Sequence, residues 1–235
     1  MATAAPGAPH GSIDFGRSFT FVGEDPEWLK KVLIGGAFML ACAIFVGFPF
    51  VFGYFSRTLR NVAAGTSPAL PEWDDLGGIF EEGLRLAAVY LACTLGVLVV
   101  LGVFAAALLL PVFLASGSRG PEGALAALGA LGIVAFYAIA ILVSFAMALY
   151  LPAGLTRAAL RGNIGDAFAW RENLAFIKAN LANYALALVS YLLAGFVAQF
   201  GFLLCCVGVF PAAFWSYLVL ASALGQTARL SPQPV

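Results

Sequence analysis

A chain of 235 residues that is 62% hydrophobic and 10% charged, with mean hydropathy +0.97, is excluded from the ordinary soluble domains, in which about 25% of residues are charged. Its formal net charge is zero, but the charges are partitioned and not spread. Val32–Ser56, Leu86–Ser118, Gly123–Thr156 and Ala179–Ala228, of 25, 33, 34 and 50 residues, contain no Asp, Glu, Lys or Arg. A helix needs about 20 apolar residues to cross a bilayer, so these runs predict an all-α integral membrane protein. The longest would measure about 75 Å as one helix and must cross twice.

Residues 1–23 are small, polar and punctuated by Gly and Pro. They lack the apolar core of a signal peptide and read as a disordered tail before a single membrane domain over 24–226. Asp25-Pro26-Glu27 starts the first helix: Asp to cap, Pro at the first position, Glu at the positive end of the dipole. Trp28, backed by Lys30 and Lys31, suits the membrane–water interface, as do Trp73 and Trp170 further on.

The first run poses a choice. Five spans would put four basic residues on one side and eight on the other. A turn back at Gly47-Phe48-Pro49, where Pro removes a hydrogen bond and Gly allows the bend, gathers all but Arg119 on one side, eleven against one. That asymmetry is the cytoplasmic signature. Only Phe50–Ser56 remain uncharged on the return leg, about 10 Å of helix. A half-depth re-entrant hairpin satisfies both facts; a Pro-kinked span is the alternative. The Phe-Pro-x-x-Phe of the hairpin recurs at Phe210–Phe214.

From Leu76, apolar Ile79, Phe80, Gly83, Leu84 and Ala87 alternate at helical spacing with Glu81, Glu82 and Arg85. This predicts an interfacial amphipathic helix capped by Asp74 or Asp75, followed by a span ending near Pro111. Ser116–Glu122 is a turn, and a third span covers about Ala124–Tyr150. Asp166 is placed to cap a second interfacial helix bearing Trp170, Leu174, Ile177 and Leu181. Spans at Ala179–Leu204 and Phe210–Gln226, turning at Cys205–Val209, complete the domain, and residues 227–235 read as a short disordered tail. Ser56-Arg57…Arg60 and Thr156-Arg157…Arg161 form a loose internal echo, each ending a membrane helix.

Asp25–Gly36, Gly53-Tyr54…Arg57…Leu59–Val62, Leu70–Asp75 and Phe80…Gly83-Leu84 resemble the domain-of-unknown-function family numbered 4013, uncharacterised membrane proteins of prokaryotes. The resemblance is close over Phe19–Leu86 and looser to Gln226. It implies a multi-spanning membrane protein and brings no activity, substrate or functional residue.

Chemistry is sparse. His10, in the tail, is the sole histidine, and no HExxH, GxSxG or Walker-type loop occurs. Cys42, Cys93, Cys205 and Cys206 lie inside uncharged runs and read as packing residues. No catalytic residue, metal ligand or cofactor is expected, and the chain is not read as an enzyme. Two groups remain. Arg57, Arg60, Arg157 and Arg161 are candidate contacts for anionic lipid. Asn180, Asn183, Tyr184, Ser190, Tyr191 and Gln199 form a stripe that either packs helices together or lines a polar path. The expected function is a non-catalytic membrane module that assembles with partners or organises lipid, with a small-solute transporter or channel as the alternative. Its expected partners are the bilayer, other membrane proteins or further copies of itself, not nucleic acid. Its expected place is the cell membrane, with the Arg-rich loops cytoplasmic.

Overall fold

The computed structural model describes residues 11–115, 122–203 and 207–232. Among these it is helical without strands: α1 Phe15–Thr20, α2 Trp28–Ala41, α3 Gly47–Ala64, α4 Leu76–Ala115, α5 Glu122–Arg161, α6 Gly165–Phe168, α7 Trp170–Ala179, α8 Leu181–Gln199 and α9 Val209–Arg229. Four helical segments are long and apolar enough to cross a bilayer, at Leu76–Leu108, Leu128–Arg161, Leu181–Leu203 and Val209–Arg229. The all-α membrane class is thus what the charge-free runs require.

The first run is a helical hairpin. α2 and α3 pack on each other, joined by a 3-10 turn over Cys42–Ile44 and by Phe45 at φ 65°. The bend lies just ahead of the expected Gly47–Pro49. Pro49 is the third residue of α3, where its missing N–H is among those a helix start leaves unpaired. It therefore opens a helix and does not break one. Gly47 is needed for another reason: a side chain there would overlap the Phe38 carbonyl and the Cys42 amide. Pro211 holds the same third place in α9, which accounts for the repeated Phe-Pro-x-x-Phe. Ile44, Phe45 and Val46 at the tip are 70%, 79% and 55% exposed.

The helices group into two compact units: residues to Ala88 with those from Ala153 onward, and Val89–Pro152. In the first unit α9 is the central element, packed by α2, α3 and α8. Its Leu218, Val219, Ala221, Ala223 and Leu224 are at most 1% exposed. In the second unit many of the described apolar side chains face outward, Val89 at its edge being buried. Val99, Val103, Val134, Ile141, Leu142 and Phe145 are all more than 60% exposed, as lipid-facing helices should be.

Several boundaries are corrected. The amphipathic stretch at Leu76 is not a separate interfacial helix but the first turns of α4. Asp75 Oδ1 accepts the Gly78 amide at 2.9 Å, and no breaker follows until Pro111, which α4 passes on its way to Ala115. α5 likewise runs through Pro152 to Arg161, beyond the expected end at Tyr150. Asp166 lies inside α6, and neither α6 nor α7 has a side-chain cap; Asn163 Oδ1 instead accepts the Gly165 amide at 3.0 Å. Most of the expected Ser116–Glu122 turn and the Cys205-Cys206 pair lie outside the described residues.

Neither tail is wholly as expected. Residues 11–23 fold over the ends of α8 and α9: Asn183 Oδ1 accepts the Ile13 amide at 3.1 Å, and Gln226 Oε1 accepts the Asp14 amide at 2.8 Å. α9 continues to Arg229, and Asn180 Nδ2 donates to Ser231 Oγ at 3.0 Å. Local polarity suggested disorder; specific partners far along the chain supply the order.

Candidate functional site at the base of the hairpin

The two legs of the hairpin carry their ionisable residues at the open end, and the segment between α3 and α4 ties the legs together. Lys31 Nζ donates to Asp25 Oδ2 at 2.7 Å and to Glu72. Asp25 Oδ1 accepts the Glu27 amide at 2.8 Å, so this residue turns the chain into α2 and also neutralises Lys31. Lys31 and Asp25 are only 2% exposed. Trp73 Nε1 donates to the Lys31 carbonyl at 3.1 Å, and Tyr54 Oη donates to the Pro71 carbonyl at 2.9 Å. Arg57 donates to Asp75 Oδ2 at 2.7 Å and to Glu82 Oε1 at 3.1 Å; Arg60 also binds Glu82.

Beneath these bonds lies an aromatic stack. The Trp73 ring stands 4.3 Å from Tyr54 and 5.0 Å from Phe38, centroid to centroid, and Phe38 is 4.3 Å from Phe50. Trp73 is therefore partly buried and packs against the core. Trp28 and Trp170, 41% and 58% exposed, do face outward, with Arg171 5.0 Å over the Trp170 ring.

A second junction repeats the theme. Arg157, 3% exposed, donates to Asn173 Oδ1 at 3.1 Å and binds Glu172, while Asn173 Nδ2 donates to the Ala167 carbonyl at 2.8 Å. In both echoes an arginine near the end of a helix holds the segment that follows. The Arg157 guanidinium keeps the Glu172 carboxyl below its ordinary pKa, first through the hydrogen bond and then through charge. A lowered carboxyl stabilises the fold fully above its unfolded pKa of about 4.3 and loses that contribution as pH falls through the folded value. Acidification from pH 7 to pH 3 should therefore lower the melting temperature of the wild type more than that of Glu172→Gln; equal shifts would refute the pairing.

The stripe from Asn180 along α8 is mostly inward. Asn183, Tyr184 and Ser190 are buried, and α8 packs on α9. Asn183 Nδ2 donates to the Gly11 carbonyl, Asn180 Nδ2 to that of Phe176, and Ser190 Oγ to that of Leu186. The Tyr191 ring meets Tyr217 at 5.7 Å. Gln199 stands apart and exposed.

Of the four nominated arginines, Arg57 and Arg60 meet on Glu82, Arg157 engages Glu172, and Arg161 closes α5. In the sequence Asp25 reads only as a cap, Lys31 as an interface flank and Glu82 as part of a polar face, and Glu72 and Asn173 carry no site signal of their own. Pro26-Glu27-Trp28 and Pro71-Glu72-Trp73 repeat one triplet, and Glu72 of the second reaches Lys31 behind the first.

No curated protein and no solved structure matches the chain. A family described as a protein of unknown function, DUF4013, matches residues 36–207. The matched segment contains both arginine junctions and the α3–α4 crossing. This chain belongs to that family.

Proposed function

We propose that the protein is a non-catalytic module of the cell membrane that organises lipid by wedging its hairpin into one leaflet. The observation that carries this reading is the hairpin itself, apolar and exposed at the tip, bonded through charges at the base. Between Lys31 and the bend, and between Gly47 and Ser56, each leg offers about 15 Å of helix free of charge, half of a hydrocarbon core of about 30 Å. Such an element adds volume to one leaflet and leaves the other unchanged. Eleven of the twelve basic residues belong with the base, which supports a cytoplasmic position for it. Asn180, Asn183 and Ser190, from the polar stripe offered for a solute path, are engaged in hydrogen bonds within the fold, which favours this reading over transport.

The test uses the full chain reconstituted in one orientation into giant vesicles from which membrane tethers are pulled. The wild type should be sorted severalfold between tether and flat membrane. Replacing Ile44, Phe45 and Val46 together by serine withdraws about 5 kcal/mol of apolar insertion and should abolish the sorting. Even distribution of the wild type, or solute flux above protein-free vesicles, would count against the wedge.

A further inference from the structure

Beside the hairpin base, α3, the start of α4 and the end of α5 enclose an open cleft of about 340 Å³ counting its mouth. Its polar wall is Ser56, Arg60, Glu82 and Arg85; its apolar wall includes Leu86, Ala158 and Ala159, each no more than 4% exposed. From this arrangement we infer that the cleft binds one anionic glycerophospholipid, phosphate against Arg60 and Arg85 and acyl chains leaving past Leu86.

Three observations support this occupant. First, both guanidiniums keep donors in hand. Each has five N–H groups, yet the bond to Glu82 uses only Nη2 of Arg60, and the bond to Glu81 only Nη2 of Arg85. Arg60 and Arg85 are 39% and 49% exposed, a setting in which such pairs are weak and easily redirected. Second, the lining sets two guanidiniums, Arg60 and Arg85, against one carboxylate, Glu82, which also bonds Arg57. Third, the change from charge to hydrocarbon falls between Arg85 and Leu86, within the apolar span Leu76–Leu108. A ligand with an anionic head joined to apolar chains matches that boundary; a free anion uses only half of it.

The inference assumes the membrane reading but not the wedge, so it is tested where no leaflet exists to bend. The full chain in detergent is given equal phosphatidylglycerol and phosphatidylcholine, and retained lipid is read by native mass spectrometry. Phosphatidylglycerol should be retained severalfold better. Arg85→Gln should reduce its retention about fivefold, the equivalent of about 1 kcal/mol per basic residue, and Arg60→Gln comparably. Arg85 is half-exposed and its partner Glu81 more so; an unchanged melting temperature will confirm that the variant folds. Lys30→Gln, which removes a charge outside the cleft, should retain lipid like the wild type, and so should the serine variant of the tip. Equal retention of the two lipids, equal loss with Lys30→Gln, or complete displacement by millimolar inorganic phosphate would each overturn the assignment. The last would show a phosphate site without a role for the chains.

Discussion

Lys31→Met should leave little folded protein in detergent, whereas Asp25→Asn/Lys31→Met should recover much of it. The single change strands the Asp25 carboxylate, 2% exposed, without its cation. Removing one member of a buried pair costs about 3–5 kcal/mol, a large part of the roughly 5–15 kcal/mol that holds a typical domain together. Asparagine in place of Asp25 removes the stranded charge but keeps an oxygen for the Glu27 amide. Glu72→Gln should cost about 1 kcal/mol or less, because Glu72 is 60% exposed. Thermal unfolding followed by size-exclusion chromatography measures all four proteins. A single variant as stable as the wild type would show that the pair does not hold the hairpin base.

Gly53→Val and Gly83→Val should each separate α3 from α4 and destabilise the protein by about 3 kcal/mol, the upper part of the overpacking range. A Cβ at Gly83 would overlap the Pro49 carbonyl and the Gly53 amide, and one at Gly53 would overlap the Ile79 carbonyl. The obstacles are backbone atoms, which no rotamer change can move aside. Gly77, with open space where its side chain would stand, is the control: Gly77→Ala should be neutral or slightly stabilising, since Ala is the better helix former. If all three variants melt together, the helices do not cross where the glycines lie.

These two predictions give physical content to the family resemblance. Gly53-Tyr54…Arg57, Leu70–Asp75 and Phe80…Gly83 look like separate motifs along the chain. In space they form one construction, with the α3–α4 crossing at the glycines, the stack at Tyr54 and Trp73, and the ion pairs of Arg57 closing over it. The ordered offsets of Pro, Trp and Gly carried the signal; spacing alone did not say what each residue touches.

Hydropathy and the partition of charge were enough to read the membrane class, the helices that cross and the turn in the first run, because a bilayer penalises every charge at depth. They also sufficed to place Trp28 and Trp170 outward. What depended on tertiary structure was each choice between local signals of equal weight. Pro49 and Pro111 are alike in sequence, yet one opens a helix and the other sits within one. Trp73 resembles Trp28, yet Phe38 and Tyr54 stack with it against the core. The polar residues 11–23 resemble a loose tail, yet Asn183 and Gln226 order them. For Trp73 and for residues 11–23 the local preference is weak, and partners some tens to two hundred residues away decide the outcome.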